Sequence, residues 1–557
     1  MLKYYILNFL VFLTVEGYSQ IDNTHQNLWT LTKVYGVVKY YNNEKDDKYL
    51  DDELLKVLPN LKKTAYDNEK FNIDIKNLLR GDEKVIKSAL QPERPFDQFT
   101  DKDYITTIDF SWIEKSLQLS EENKILLKQL INSHKNIANK NIGHKQIYIH
   151  NEQIGLESIS KNEEYILALI KYWNVMDYFF AYKNLMDTDW DTALSNEVSG
   201  FYEIQSYYGY NTMLRRLCAY LQDGHIDIED RYRDDFNVWK LPFYVTVAED
   251  QLVVNSINDS LSNLYGIKTG DVIEELDGKG YGELWQEFSE LVSYSTTSGG
   301  QEYFRTYLWQ RFNYNDSSVS VVFNSDNGTH KEYIKPIKLA DFRKIRPWVE
   351  KIGKFKSIDG NIGYIDFDNM SYSNLGKAIR QLKKKKYIIL DCRGYPGGVF
   401  AQLRLNGFLF SKRAPVAKNY GPNVEYPGVF DDTKLLSYNF LQWMRRSYKG
   451  QLIVLIDGSA ISAMETLLMS VEAKRPKAVF IGTPTQGVDG EQNLLLLPDG
   501  IKILYTGNNF SYHDGSQFQR IGIQPDIRIE PTIESIKKGE DNVLIRAIEY
   551  INNLDSN

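Results

Sequence analysis

The chain has 557 residues, of which 42% are hydrophobic and 25% are charged, and its formal net charge is −8. This length predicts several folded domains, and the composition is typical of globular protein. An acidic chain without a long basic run excludes nucleic acid as a main partner. The two cysteines, Cys218 and Cys392, lack the spacing of metal ligands, so we expect no metal and no cofactor.

The first residues differ from the rest of the chain. Lys3 precedes an apolar stretch that continues to about Val15, and Gly17 and Ser19 supply small residues after it. This pattern is typical of a secretory signal cleaved near Ser19, and we assign residues 1–19 to it rather than to a buried first helix. No later stretch has the roughly 20 apolar residues that a membrane span needs. We therefore expect an exported chain, periplasmic or extracellular, without stable membrane insertion.

Two segments of the N-terminal part resemble each other. Residues 28–41, LWTLTKVYGVVKYY, align with residues 166–179, ILALIKYWNVMDYF. We interpret the similarity as an internal duplication of a helical unit whose aromatic residues pack in a core. The paired positions include Lys33 with Lys171 and, after a two-residue slip, Asp51 with Asp191.

A histidine follows the last helix of this part. The helical pattern of residues 200–222 stops at Asp223–Gly224, since glycine commonly terminates helices, and His225 begins the strand-like run HIDIED. A single loop histidine is more often incidental than catalytic, so the pattern alone leaves its role open. We predict one helical domain over residues 20–150 and a second, carrying the histidine, over residues 151–234.

Short strands dominate the next segment, residues 235–345, which we predict as a separate β-rich domain. The run KLPFYVTVAEDQLVVNSI alternates with period two, and Asp277–Gly278 have the form of a tight hairpin turn. The segment looks like a PDZ domain. That likeness implies that Leu241, Pro242 and Phe243 form the loop before the peptide-binding strand, where backbone N–H groups bind a chain-terminal carboxylate. The alternative is an unrelated β-rich insertion.

Strands and helices alternate over residues 346–535, and a final helix is expected over residues 536–557. The alternation predicts crossover units and a largely parallel sheet. DCRGYPGG, DGSAISAME and GTPTQGVDG each follow a predicted strand. Active sites in such sheets gather beyond the carboxyl ends of the strands, so we expect one where these three loops meet.

The loop DGSAISAME contains two serines, Ser459 and Ser462, after the apolar run LIVLI. Ser462 and Glu465 have the spacing of a capping box, in which the serine hydroxyl closes the first turn of a helix. A strand–turn–helix junction is also where hydrolases hold a nucleophilic serine, because the turn exposes the oxygen beside helix N–H groups. The residues alone permit both roles.

The motifs together resemble peptidase family S41, the tail-specific or C-terminal-processing proteases and their tricorn-like relatives. GNIGYIDF, IILDCRGYPGG, SAISAME, IGTPTQG, LPDG and GIQPDI occur in the family's order between Tyr165 and Ile529. The resemblance implies a multidomain α+β protein. Its parts are an N-terminal helical region, a PDZ-like β-rich domain and a C-terminal α/β catalytic domain of the ClpP/crotonase-like type.

The resemblance also implies roles for residues around the second serine. The family's nucleophile lies three residues before the glutamate of its S-A-x-E pattern, which here is Ser462. The amide of Ala463 would bind the oxyanion, with a second donor from the backbone of Gly397 or Gly398. Glu465 would support the start of the helix.

A serine nucleophile needs a base. One S41 branch uses a lysine in a T-F-G-K-G stretch, but TQGVDG has Val488 at that position, and valine cannot accept a proton. The tricorn-like branch takes a histidine from a D-x-H stretch before the PDZ domain, which LQDGHI matches, so the resemblance implies His225 as general base. The glutamate that orients this histidine in the family is Gln519 here, whose amide can hold a tautomer without stabilising an imidazolium by charge. The other candidates are Glu491 or Asp489 as third member and His513 as a remote second base.

The resemblance thus predicts an exported serine endopeptidase that acts on polypeptides through an acyl-enzyme, with the PDZ-like domain controlling access. The alternative is a catalytically weak or inactive S41-fold protein that binds a peptide or an apolar ligand, which Gln519 favours. A PDZ scaffold without a pocket function leaves the three converging strand ends unexplained. The oligomeric state is not predicted.

Overall fold

The computed structural model describes most of the chain outside the expected signal segment 1–19. The described residues are 23–42, 47–79, 104–133, 142–144, 148–153, 161–230, 239–310, 318–338, 355–411, 414–433 and 447–556.

The N-terminal part is helical, and its helices share one core. Apolar residues from both predicted helical domains, such as Leu31 and Leu169, are fully buried in a single continuous cluster. The segments 20–150 and 151–234 therefore pack together as one unit. The helices span residues 23–41, Asp47–Val57, Asn68–Leu79, Trp112–Lys115, Glu121–Asn132, Asn162–Phe179, Trp190–Glu197 and Tyr207–Tyr220.

The two similar segments lie on helices that approach each other closely. A Cβ atom on Gly36 would lie 1.9 Å from the Asn174 side-chain oxygen, so only glycine fits at this crossing. These two residues occupy equivalent positions in the aligned segments.

The ion pairs of the two segments are reciprocal. Lys33 Nζ lies 2.6 Å from the Asp191 carboxylate, and Lys171 Nζ lies 2.6 Å from the Asp51 carboxylate. Each lysine therefore pairs with the aspartate of the other copy, which is the arrangement that a pseudo-twofold packing of a duplicated unit produces.

Two small sheets join the helical region to the C-terminal half. One contains, in order, β1 (Tyr104–Thr106), β16 (Val429–Asp432), β15 (Ala417–Pro422) and β21 (Asn509–Tyr512). The other contains β2 (Ile142–His144), β3 (Tyr148–Asn151), β19 (Gln492–Leu496), β20 (Lys502–Thr506) and β4 (Asp227–Glu229). Strand β4 follows His225 directly, so its pairing with β20 brings the histidine loop to the C-terminal half.

The β-rich segment forms an antiparallel sheet with its own core. The predicted tight turn is confirmed, since Asp277 and Gly278 both have positive φ and the flanking residues Leu276 and Lys279 exchange hydrogen bonds. The strand order is β10 (Gly328–Ile334), β9 (Val319–Ser325), β8 (Val272–Leu276), β7 (Gln251–Ile257) and β6 (Phe243–Ala248), which leaves β6 at an edge. The remaining elements are β5 (Trp239–Lys240), β11 (Ile337–Lys338) and helices Asp259–Tyr265, Tyr281–Ser289 and Thr297–Gln310.

The predicted parallel sheet of the C-terminal part is confirmed. Its order is β12 (Phe355–Ser357), β13 (Ile362–Asp366), β14 (Tyr387–Asp391), β17 (Gln451–Ile456), β18 (Val479–Gly482) and β22 (Ile527–Arg528), and only β12 is antiparallel. Apolar faces of helices Tyr372–Leu382, Val399–Leu409 and Ala463–Lys474 cover one side, and helix Asn542–Ser556 covers the other. The short helix Ile533–Lys538 precedes the last one.

The carboxyl ends of the central strands lie side by side. Asp391 of β14 pairs with Leu455 of β17, and Ile456 pairs with Gly482 of β18. The three loops singled out in the sequence therefore leave the same edge of the sheet. Within the described part of the chain, no helix is long and apolar enough to cross a lipid bilayer.

Candidate active site

Ser462 lies on a strained turn between strand β17 and helix Ala463–Lys474. Its φ of 54° and ψ of −118° are unusual for a residue with a side chain, and such strain persists only where surrounding contacts enforce it. The other serine of the loop, Ser459, donates both its amide and its hydroxyl hydrogen to the Asp457 carboxylate, which closes the turn. The structure therefore commits one serine to the turn and places the other, half-buried, at the helix start.

Glu465 forms its half of the predicted capping box, and the serine hydroxyl does not form the other. The Ser462 amide donates to the Glu465 carboxylate at 3.2 Å, while the serine side chain makes no cap hydrogen bond. The same carboxylate accepts the amides of Gly487 and Val488 at 2.8 and 3.0 Å and the hydroxyl of Thr485. Glu465 therefore fastens the serine turn to the next loop, although burial raises its pKa to about 8.

The loop TQGVDG contacts the serine from the other side. The Ser462 amide, which donates to Glu465, also donates to the carbonyl oxygen of Val488 at 3.0 Å. The valine side chain is fully buried. The position that carries the lysine base in one S41 branch is thus filled by an apolar side chain.

The two glycines of the loop GYPGG differ in what their amides do. The Gly398 amide donates to the Pro396 carbonyl at 2.9 Å within the loop. A Cβ atom on Gly397 would lie 2.4 Å from the Met370 carbonyl oxygen, so glycine is required there. Because the Gly398 amide is already bonded, Gly397 is the better second donor to the oxyanion.

The first donor is the amide of Ala463. Since Ala463 is the first residue of its helix, its amide has no partner one turn earlier.

His225 is held by a chain of hydrogen bonds that ends at a buried carboxylate. Its ring nitrogen Nδ1 lies 2.9 Å from Thr506 Oγ1, and that oxygen lies 2.7 Å from Asp223 Oδ1. The amides of His225 and Thr506 donate to the same carboxylate at 3.1 and 2.7 Å. Asp223 is fully buried, so the group is shielded from solvent.

These contacts determine the tautomer of the histidine. A carboxylate only accepts hydrogen bonds, so the single hydroxyl proton of Thr506 points to Asp223. The Thr506 oxygen must then accept the proton of His225 Nδ1, which leaves Nε2 with a lone pair. Burial lowers the pKa of His225 from its ordinary 6.5, with the Asp223 carboxylate acting in the opposite direction. The ring is therefore neutral at pH 7 and has the tautomer of a general base.

Gln519 does not hold the histidine in this structure. Its side chain is 1% exposed, and neither its amide nitrogen nor its amide oxygen has a hydrogen-bond partner. The contact that the family resemblance assigns to this position is made by Thr506 instead. A buried amide without partners costs free energy that a hydrogen bond to the ring would have recovered.

The remaining sequence candidates lie on the serine side or outside the site. Asp489 is buried, accepts the Thr466 hydroxyl at 2.6 Å, and has its pKa raised to about 7 by burial. Glu491 is exposed at the rim of the same cavity. His513 is exposed, and its amide donates to the Val416 carbonyl. None of the three acids and bases hydrogen-bonds to His225.

Two cavities border the serine turn, one on each side of it in sequence. One, of about 400 Å³, is lined by His225 and by Ile461. The other, of about 140 Å³, is lined by Ser462 and Ala463. The Ser462 hydroxyl and the His225 ring, both in the described part of the chain, do not hydrogen-bond to each other.

The β-rich domain lines the cavity of His225 through helix Thr297–Gln310. The Tyr303 hydroxyl donates to the Gly224 carbonyl at 2.5 Å, and the hydroxyls of Ser298 and Thr483 lie 3.1 Å apart. The side chains of the predicted peptide-binding loop are not available, since Leu241, Pro242 and Phe243 are all buried. Only the backbone of that loop remains for binding a carboxylate.

The sequence analysis missed Thr506 and the role of Asp223. Asp223 was interpreted as part of a helix stop, although its place two residues before the histidine was visible in the motif DGH. Thr506 ends the strand KILYT and carries no sequence signal, because strand pairing alone brings it to the histidine. Among the residues that the structure describes, no cluster of three or more His, Cys, Asp or Glu side chains is placed to hold a metal ion.

Comparison with known proteins identifies the C-terminal part. Residues 361–529 match the family model of peptidase family S41. The chain carries an S41 peptidase domain. The match over these residues supports a serine-type peptidase. A carboxy-terminal-processing protease from Bartonella bacilliformis is 26% identical over 328 residues, which are 57% of this chain and 67% of the relative.

Solved structures extend the similarity of fold beyond the S41 domain. Mature CPAF complexed with lactacystin has a TM-score of 0.55 at 15% identity and covers 71% of this chain and 99% of its own. A second structure of mature CPAF has a TM-score of 0.54 at 14% identity and covers 70% of this chain and 98% of its own. At these identities the likeness shows the fold alone.

Proposed function

We propose that the chain is an exported serine endopeptidase in which Ser462 forms the acyl-enzyme and His225 acts as general base. The observation that carries the proposal is the chain of hydrogen bonds from His225 through Thr506 to Asp223. It orients the ring and leaves Nε2 unprotonated beside the turn that presents the serine. The same tautomer, with the proton on Nδ1 and a lone pair on Nε2, is the one that a general base of a serine peptidase requires.

The reaction follows from these positions. Ser462 Oγ attacks the carbonyl carbon of the scissile peptide bond while its proton passes to His225 Nε2. The oxyanion receives hydrogen bonds from the amides of Ala463 and Gly397, and the positive end of helix Ala463–Lys474 favours its charge. His225 returns the proton to the leaving amine. Water then attacks the ester by the same base, which releases the acid and regenerates the serine.

The imidazolium that forms during the reaction has a nearby counter-charge. Asp223 acts through the Thr506 hydroxyl and not by direct contact, so this stabilisation is weaker than that of a directly bonded carboxylate. The serine and the histidine must also come into hydrogen-bonding distance when substrate binds. Catalytic hydrogen bonds often tighten only in the substrate complex, so the unliganded arrangement is compatible with catalysis.

The β-rich domain is part of the proposal as a PDZ-like peptide-binding module. Its strand β6 lies at the edge of the sheet, and helix Thr297–Gln310 packs against it, so an extended peptide could add to that edge. Because the same helix contacts Gly224 beside the catalytic histidine, a peptide bound there would be coupled to the site. Export rests on the signal-like segment 1–19, and N-terminal sequencing of the secreted chain tests it.

Cleavage of an unfolded protein such as reduced casein tests the proposal. Wild-type protein is expected to produce fragments with internal cleavage points by mass spectrometry, and Ser462→Ala and His225→Ala are expected to produce none above background. Ser260→Ala and His513→Ala are the matched controls, because each changes the same residue type at an exposed position outside the proposed site, and both should retain cleavage. Undiminished cleavage by Ser462→Ala would contradict the proposal.

A second candidate function is a weak or inactive S41-fold protein that binds a peptide or an apolar ligand. It is favoured by one observation, the uncharged and unpartnered Gln519 at the position of the family's orienting glutamate. Saturable peptide binding without turnover in the wild-type chain would support this function over the first.

A further inference from the structure

The cavity beside Ser462 is built from four elements. Strand β15 contributes Ala417 and Asn419, which lie on the same face of the strand, and β21 contributes Phe510, which pairs with Asn419. The first turn of the serine helix and the loop after Val488 complete the wall. With about 140 Å³ it is far smaller than the roughly 300 Å³ or more of small-molecule sites, and has the size of a single side chain.

The polar side chains of this cavity include three that present acceptor oxygens. Asp489 lies at its buried end and Glu491 at its rim. Asn419 is 6% exposed, and its side-chain oxygen has no hydrogen-bond partner. Asp489 already accepts two hydrogen bonds, from the Thr466 hydroxyl at 2.6 Å and from the Gly490 amide at 2.7 Å. A buried acceptor without a partner is costly, so the Asn419 oxygen indicates that a donor is supplied from elsewhere.

The charge of the cavity is uncompensated. The residues that line it, all of them in the described part of the chain, include two carboxylates and no lysine, arginine or histidine. The apolar walls formed by Val416, Ala417 and Phe510 would accommodate the methylene groups of a long side chain. The cavity therefore combines an apolar shaft with an anionic end.

We propose that this cavity binds the substrate side chain on the acyl side of the scissile bond and that it selects a basic residue. This inference rests on the proposed function, since it takes Ser462 as the nucleophile whose neighbouring pocket receives that side chain. The ammonium or guanidinium group would bind Asp489 and Asn419, with Glu491 at the entrance. Burial without a cation raises the pKa of Asp489 to about 7, and a bound cation removes that cost.

A peptide series that differs at one position tests the selection. Acetyl-Ala-Ala-Ala-X-Ala-Ala-Ala-amide with X as Lys, Met or Glu keeps the chain length and changes only the charge of X. The expected kcat/KM for cleavage after Lys exceeds that after Met by about 10-fold or more, the effect of a hydrogen-bonded charge pair. Cleavage after Glu should be slowest. Equal values for Lys and Met would overturn the proposal.

Variants of the cavity provide the second arm. Asp489→Asn should reduce the Lys-to-Met ratio toward one. Glu491→Lys, an exposed change that the fold tolerates, should lower the ratio and raise cleavage after Glu. Glu540→Gln, an exposed acid remote from the cavity, is the matched control and should leave the ratio unchanged. A ratio that neither cavity variant alters would overturn the proposal.

A binding measurement separates failure of this inference from failure of the proposed function. Ser462→Ala is titrated calorimetrically with acetyl-Ala-Ala-Ala-Lys-amide and acetyl-Ala-Ala-Ala-Met-amide, which need no turnover and lack the terminal carboxylate that a PDZ-like domain would bind. At least about 10-fold tighter binding of the lysine peptide supports the cavity's role even if no peptide is cleaved. Equal affinities overturn it, even if cleavage and labelling of Ser462 establish the peptidase.

Discussion

His225 Nδ1 lies 2.9 Å from Thr506 Oγ1, a residue 281 positions further along the chain. The contact exists because strand β20, which ends at Thr506, pairs with strand β4, which begins two residues after the histidine. Asp223 then accepts the threonine proton, and the ring is held as a base. The catalytic proposal depends on this relationship more than on the family resemblance.

Removing the charge of Asp223 should impair turnover. In Asp223→Asn the amide group can donate to Thr506, so the threonine hydroxyl turns to donate to His225 Nδ1 and the ring takes the wrong tautomer. By analogy with the triad aspartate, kcat is expected to fall by up to about 10⁴-fold. Steady-state cleavage of a peptide substrate, with circular dichroism to confirm folding, measures the effect.

Thr506 offers a matched pair of variants for the same contact. Thr506→Ser keeps the hydroxyl and should retain most of the activity, whereas the isosteric Thr506→Val removes it. The loss of one hydrogen bond in a charge-bearing chain corresponds to about 10-fold to 100-fold in kcat. Equal activity of the valine and serine variants would show that the threonine hydroxyl does not hold the histidine.

The pH dependence of kcat/KM should reflect the buried histidine. Burial disfavours the imidazolium and lowers the pKa of His225 from 6.5, so the base stays neutral to lower pH than an exposed histidine. Activity is expected to be lost as pH falls through a midpoint below 6.5. Asp489→Asn should leave that midpoint in place, because the nearby carboxyl with a pKa of about 7 is a different group. A midpoint above 7 in both proteins would contradict the assignment.

Restoring the family's glutamate should not improve this enzyme. Gln519 has no polar partner and is fully buried, so Gln519→Glu places an unpaired carboxyl group in the interior. We expect no rise in kcat and a loss of roughly 1–3 kcal/mol in the free energy of unfolding. The apolar control Gln519→Met should be neutral or stabilising. Denaturant titration measures the free energy of unfolding and peptide cleavage measures kcat. A gain in kcat for Gln519→Glu would show that this position orients the histidine after all.

The reciprocal ion pairs of the helical region should differ in strength. Lys171 and Asp51 are both fully buried, so Asp51→Asn leaves an uncompensated charge and should cost about 3–5 kcal/mol. Asp191 is 39% exposed and its partner Lys33 also lies over the ring of Trp29, so Asp191→Asn should cost only about 0–1 kcal/mol. Urea denaturation of the two variants measures both values, and similar losses would contradict the difference in burial.

The sequence predicted those parts of the site that local patterns determine. The serine turn and the three loops follow from apolar strands that end in glycine-rich segments, and the parallel sheet necessarily brings such ends together. Asp277–Gly278 was likewise a local signal, and its turn is confirmed. The duplication was visible as matched lysines and aspartates, but their exchange between the copies needed the packing of the helices.

The parts that the sequence did not predict depend on contacts between distant segments. The contact between Thr506 and His225 could not be predicted, because an alternating strand pattern indicates which residues are buried and not which strand lies beside them. The position of Gln519 in the family motif implied that it orients the histidine, yet its side chain makes no hydrogen bond. The likeness to a PDZ domain assigned Leu241 and Phe243 to the loop before the peptide-binding strand, but it did not predict that both side chains fill the core of the β-rich domain.

Labelling with a fluorophosphonate, followed by mass-spectrometric mapping, tests the central claim most directly. The account predicts that the label is on Ser462, that it is absent in Ser462→Ala, and that His225→Ala slows labelling by at least about 10²-fold, the lower end of the effect of a general base. A label on any other residue, or a labelling rate that His225→Ala leaves unchanged, would contradict a serine activated by this histidine.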